Sequence, residues 1–224
     1  MTHNMLRTIA KIISVVSHPL LVMTYMLMLL LMINPYQFGV SSIAEQWKLL
    51  VVVFLSTFGM PMFAVVMMKS LNMVKSIELD DRQDRIGPYI ITGVFYLWMF
   101  INFKNNQDIP HSLTIAALGA TIGLFTVFFF NNFTKISAHA AGMGGLVGLA
   151  AINSFLFSFD TFTLNTWIFG TLEMSTNFVL MVVIVLAGLV CTSRLVLQAH
   201  RPGQLYSGFG VGLLSQFIAL LFLR

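Results

Sequence analysis

Runs of apolar residues, each closed by a short polar stretch, divide the 224-residue chain into seven segments, each of a length to cross, as a helix, a hydrocarbon layer roughly 30 Å thick. They run over 19–34, 47–68, 88–103, 112–133, 138–157, 174–193 and 204–223, the third being short. Within them Leu, Met, Phe and Val succeed one another without strand-like alternation, which predicts helices rather than a barrel. Residues 5–18 differ: Arg7 and Lys11 interrupt Leu6, Ile9, Ile12, Ile13 and Val16, the pattern of an amphipathic helix lying at the membrane interface and ending at His18-Pro19. No short apolar core followed by a small-residue cleavage site precedes the first span, so a signal peptide is not expected. No long linker, low-complexity tract or repeat divides the chain. The expected architecture is a single all-α domain, a polytopic transmembrane bundle of six to seven spans over 19–223 behind a lead-in at 1–18.

Composition turns that pattern into a class. The chain is 58% hydrophobic and 9% charged with a mean hydropathy of +0.88, where a soluble domain carries roughly 25% charged residues. Twelve basic and eight acidic side chains cannot cover 25.0 kDa of protein, so most of the outer surface must meet lipid. Cys191, the single cysteine, excludes a disulfide framework and a cysteine-based zinc site. A net charge of +4 on such a chain points to phospholipid or an anionic substrate rather than to nucleic acid. Seven spans place the N-terminus and loops 69–87, 134–138 and 194–203 on one side, with Arg7, Lys11, Lys69, Lys75, Arg82, Arg85, Lys135, Arg194 and Arg201. The other side has Lys48, Lys104 and Arg224. The positive-inside rule makes the first side cytoplasmic. Setting aside Lys75, Arg82, Arg85, Lys135 and Arg194 as substrate ligands removes most of that imbalance and leaves the sidedness open.

The ionisable residues collect in three clusters on that first side: Lys75 to Pro88, with Glu78, Asp80, Asp81, Arg82, Asp84 and Arg85; Lys135-Ile-Ser137-Ala138-His139; and Ser193-Arg194 to His200-Arg201-Pro202. An even number of spans separates each from the next, so all three meet at one membrane face. Guanidinium forks neutralise and orient phosphoryl oxygens. A neutral histidine can attack phosphorus, and a second, protonated one can donate to the departing alkoxide. Ser137 and the amides after it open a span, a favoured position for an anion. The scheme requires no metal or other cofactor.

These residues resemble the type 2 phosphatidic acid phosphatase superfamily, whose signatures are Lys-x6-Arg-Pro, Pro-Ser-Gly-His and Ser-Arg-x5-His-x3-Asp. Ser193-Arg194, five residues and His200 match the third. Ser137-Ala138-His139 is similar to the second, with Ile136 for Pro and Ala138 for Gly, and Lys75, six residues and Arg82 to the first, with Gln83 for Pro. The resemblance extends over roughly 47–223 and rests on about ten positions; Lys-Ile-Ser-Ala-His-Ala-Ala-Gly looks like a divergent bacterial branch, implying a multi-pass protein of a bacterial cell membrane. It implies a lipid phosphatase acting on a phosphate monoester or diphosphate through a phosphohistidine. His200 would be the nucleophile, His139 the general acid, and Lys75, Arg82 and Arg194 the phosphate clamp, with Ser137 helping. Ser193 and Lys135 lie in the matching stretches and join the binding set, as does Arg85, about one helical turn from Arg82 if that loop is helical. Gln204 occupies the position of the Asp that orients the nucleophile. A Gln carbonyl can fix the tautomer but cannot stabilise an imidazolium as a carboxylate does. Asp81 and Asp84 are candidate acidic partners for a histidine or clamp arginine.

Blander readings stand beside these. Arginines at span ends are commonly membrane anchors, and a histidine at a span start is commonly a hydrogen-bonded structural residue; His18-Pro19 is read so, without a functional role. Gly142, Gly144, Gly145, Gly148, Gly208, Gly210 and Gly212 predict close helix packing rather than a phosphate cradle. Two other functions compete. One is a lipid-phosphate binder or transporter that has lost turnover, for which Gln83, Ala138 and Gln204 speak. The other is a magnesium-dependent prenyltransferase using Asp80, Asp81 and Asp84, against which stands the lack of a second acidic cluster facing the first. Partners are the lipid phosphate and membrane lipids, and the oligomeric state is not specified.

Overall fold

The computed structural model describes residues 2–75, 82–166 and 170–223. Helices α1 (Thr2–Val16), α2 (Val22–Ile33), α3 (Trp47–Phe54), α4 (Met60–Ser70), α5 (Arg82–Lys104), α6 (His111–Asn131), α7 (Ala138–Ile152), α8 (Thr176–Val196) and α9 (Pro202–Leu223) form a polytopic bundle. Among the described residues, seven stretches are long and apolar enough to span a membrane: Asn4–Ile33, Pro35–Ser70, Gln83–Lys104, His111–Asn131, Ala138–Phe157, Thr176–Val196 and Pro202–Leu223. Two expectations change. The third span is not short, because α5 begins at Arg82 and continues through Pro88. The stretch 158–173, expected as a plain loop, holds an antiparallel hairpin of β1 (Thr161–Thr166) and β2 (Gly170–Ser175), with Thr161 opposite Ser175.

The helix expected over 5–18 forms as α1, but its packing reverses the usual rule for an amphipathic helix. Ala10, Ser14 and Ser17, on one face at spacings of four and three, are buried, while Met5, Leu6, Ile9, Ile12, Val15 and Val16 are exposed. α1 packs on α8 through its small and polar positions and leaves its apolar ones outward. A lipid environment favours that arrangement, because lipid chains are as apolar as the side chains themselves.

α7 and α9 form the tightest seam. A Cβ on Gly212 would lie 1.8 Å from the Ala141 carbonyl oxygen, one on Gly144 2.1 Å from that of Phe209, and one on Gly208 2.6 Å from that of Ser137. Backbone meets backbone along the seam, as small residues four apart permit. At its head the Ser137 amide donates to the Gln204 carbonyl at 3.2 Å, so the first turns of α7 and α9 lie side by side. Gly212→Ala should lower stability in detergent by about 1–3 kcal/mol through overpacking. Gly210→Ala, whose added Cβ meets no atom within 4 Å, should not; thermal unfolding of the two variants makes the comparison.

Candidate functional site

α8 ends in a turn that redirects the chain toward α9. Gln198 adopts the left-handed conformation at φ 54°, its amide donates to the Leu195 carbonyl at 2.8 Å, and the Ala199 amide donates to the Arg194 carbonyl at 3.1 Å. This is a Schellman closure. It folds the chain back so that His200 returns to the level of Arg194, which is the structural content of the five-residue spacing. α9 then starts with Pro202 in its first turn, where the missing N–H costs nothing, and Gln204 reaches back so that Oε1 accepts from the Arg201 amide at 3.0 Å, half of a capping box. The same Oε1 lies 3.3 Å from His200 Nδ1. An oxygen that already accepts from a backbone N–H fixes the amide orientation, so Nδ1 carries the His200 proton and Nε2 keeps its lone pair.

His139 sits in the first turn of α7, after the Ser137 cap. Its Nε2 is 3.1 Å from the Ser14 carbonyl oxygen and 3.3 Å from Ser14 Oγ. A carbonyl can only accept, so Nε2 carries the proton and Nδ1 is left available. Arg194 Nη1 donates to Ser14 Oγ, while Arg194 Nε is buried with no hydrogen-bond partner. Arg85, in the first turn of α5, donates from Nη1 to Asn131 Oδ1 at 3.3 Å.

His139, His200, Arg194 and Arg85 line one cavity of about 300 Å³. Its mouth holds the two arginines and three histidines, because His18 also lines it, with its ring centroid 6.0 Å from that of His139. Below the mouth the wall is apolar: Met23, Met26, Val65, Ala120, Leu124 and Val127, with Tyr89 and Tyr96 from α5. Burial pushes the His200 imidazole down to about 4, with the hydrogen bond to Gln204 opposing and the charges of Arg194, Lys135 and Arg85 reinforcing it. His200 is therefore neutral at pH 7.

The remaining candidate residues separate into groups. Lys135 is exposed and shares a shallower depression with His200, Gln198, Arg201 and Gln204. Ser137 and Ser193, expected among the binding residues, do not line the cavity. Ser137 is fully buried, with its hydroxyl accepting from the Ala140 amide at 3.3 Å as the α7 cap, and Ser193 Oγ donates to the Val190 carbonyl at 2.7 Å. Both position the helices that carry the site. Asp84, expected beside a histidine or arginine, is buried and accepts from the Lys75 amide at 2.9 Å, tying the segment before α5 to its first turn. Arg82 opens α5, and Glu78, Asp80 and Asp81 lie outside the described residues. Two residues are not among those the motifs point to: His18, which lines the mouth, and Ser14, which holds His139 and Arg194 from behind it. His18 caps the short turn at Pro19 through Nδ1, which accepts from the Leu20 amide at 3.3 Å. Ser14 does carry a signal in the sequence: Ala10, Ser14 and Ser17 recur at helical spacing within the lead-in.

No family model matches this chain, nor does any curated protein or solved structure.

In ¹⁵N spectra His200 should appear as the Nδ1–H tautomer and titrate with a midpoint of about 4 rather than near the ordinary histidine value of about 6.5. Gln204→Leu should mix the tautomers, since it removes the acceptor.

Proposed function

We propose that this membrane protein hydrolyses a phosphate ester of a lipid through a phosphohistidine formed on His200. The observation that carries the reading is the pairing of two neutral-capable histidines of opposite tautomer with two arginines at the mouth of one apolar cavity. A lipid phosphate presents the matching shape, an anionic head on an apolar body. The motif resemblance to type 2 phosphatidic acid phosphatases supports the same chemistry.

In the proposed reaction Arg194 and Arg85 hold the nonbridging oxygens. Ser14 Oγ accepts from Arg194 Nη1, standing where a phosphoryl oxygen would be, and Arg194 Nε offers a second donor. The His200 Nε2 lone pair attacks phosphorus as the bond to the lipid oxygen breaks. His139, having taken a proton at Nδ1 from the arriving monoester, gives it to that oxygen, and the lipid alcohol leaves. The Ser14 carbonyl holds the ring in place through Nε2–H. Water, giving a proton back to Nδ1, then attacks the phosphohistidine and releases phosphate. The low affinity of His200 for protons keeps the nucleophile free.

A second reading, a binder without turnover, is favoured by Gln204, which orients His200 without supplying charge. The magnesium-dependent prenyltransferase reading rests on Asp80, Asp81 and Asp84, of which the first two lie outside the described residues and Asp84 accepts from the Lys75 amide.

His200→Ala should reduce phosphate release from lipid phosphates by about 10³-fold or more while lipid-phosphate binding persists; unchanged release refutes the nucleophile. Gln204→Glu keeps the length that reaches Arg201 and adds the missing charge. It should raise turnover at least tenfold at pH 7, measured as phosphate release per enzyme.

A further inference from the structure

The floor of the cavity holds a polar group that the reaction does not use. Gln216, on α9, is fully buried and lines the cavity with Gly119, Gly145 and Gly212. Its Nε2 donates weakly to the Ala116 carbonyl at 3.5 Å, and its Oε1 has no partner. The fold makes room for this amide. A Cβ on Gly119 would stand 2.5 Å from both Cδ and Oε1 of Gln216, and one on Gly148 3.1 Å from its Cβ. An interhelical hydrogen bond would explain Nε2. It leaves the carbonyl oxygen unpaired at the end of an apolar well, where each such group is costly and polar residues within a membrane bundle mark ligand paths.

Size sets the occupant. A cavity of about 300 Å³ holds about ten groups of water or methylene size at roughly 30 Å³ each. The well reaches about 9 Å down α7, from His139 to Gly145, and about 16 Å down α5, from Arg85 to Tyr96, at 1.5 Å per residue. That is one chain to its full depth and not two.

We infer that the well takes the single chain of a lipid phosphate, and that this chain carries a hydrogen-bond donor, a hydroxyl or amide N–H, at the level of Gly145, about 9 Å below His139 along α7, received by Gln216 Oε1. The inference rests on the lipid-phosphate reading of the mouth and adds the tail class.

Three substrates test it on the purified full chain: a ten-carbon phosphate monoester, the same ester with a hydroxyl near its far end, and a two-chain phosphatidic acid. The hydroxylated ester should exceed the plain one about tenfold in kcat/KM, and the two-chain lipid should fall at least tenfold below the plain ester. In Gln216→Leu the ratio between the two esters should collapse to one. Equal handling of the two esters by the unmodified protein overturns the donor, and equal handling of one- and two-chain lipids overturns the single chain. If none is hydrolysed, the phosphatase reading fails separately, and the three compounds are compared by thermal shift. Greater stabilisation by the hydroxylated ester than by the plain one, and by either than by the two-chain lipid, then upholds the tail inference; equal shifts overturn it.

Discussion

The structure depends on the contact of bare backbone between α7 and α9. Gly144, Gly208 and Gly212 each turn their missing side chain toward a carbonyl of the opposite helix, and no larger residue leaves that distance intact. The consequence is felt at the helix starts. With the seam closed, the Ser137 amide reaches the Gln204 carbonyl, and the residue just inside α7, His139, comes to the same cavity as the residue just ahead of α9, His200. Dispersion contacts of this kind are small one by one, yet here they set which two side chains line a common cavity.

Around that pair the protein solves an electrostatic problem in a half-buried place. Arginines crowd histidines, and burial disfavours every charge. His200 answers by staying neutral; Arg194 leans on the Ser14 hydroxyl, and Arg85 on the Asn131 amide. The mouth thus gathers positive charge of the kind a dianion relieves, while Asp84, an acid of the same face, is turned to another task in bonding the Lys75 amide.

The bundle was legible because spans announce themselves by length and apolarity, and all seven appear. The Arg194 to His200 spacing was legible because its geometry is local: one helix end, one left-handed residue, one cap. What depended on tertiary contact was not. Ser137 and Ser193 sit close in sequence to cavity-lining His139 and Arg194 but cap or bond within their own helices. His18 lines the mouth, and Ser14 bonds His139 and Arg194, only because the lead-in helix turns its small face inward, opposite to the rule that an apolar stripe seeks the core. The hairpin had its signal in the alternation of Thr161, Phe162, Thr163 and Leu164, which the membrane frame led one to treat as a loop. Gln216 looked like one polar residue in a span until three helices closed around it.

Three spans, α5, α7 and α9, start at the mouth. Each helix carries a macrodipole worth roughly half a positive charge at its beginning, but α1, α6 and α8 end beside them, at Ser14, Asn131 and Arg194, and their opposite poles offset it. Near the start of α7 the Ala140 amide is engaged by Ser137 Oγ, and just ahead of α9 the Arg201 amide is engaged by Gln204 Oε1. The polarity of the cavity is therefore set by side chains, with Arg85 and Arg194 at one end and apolar groups along the rest, so it can be altered at two positions without touching the backbone seam that holds the helices together.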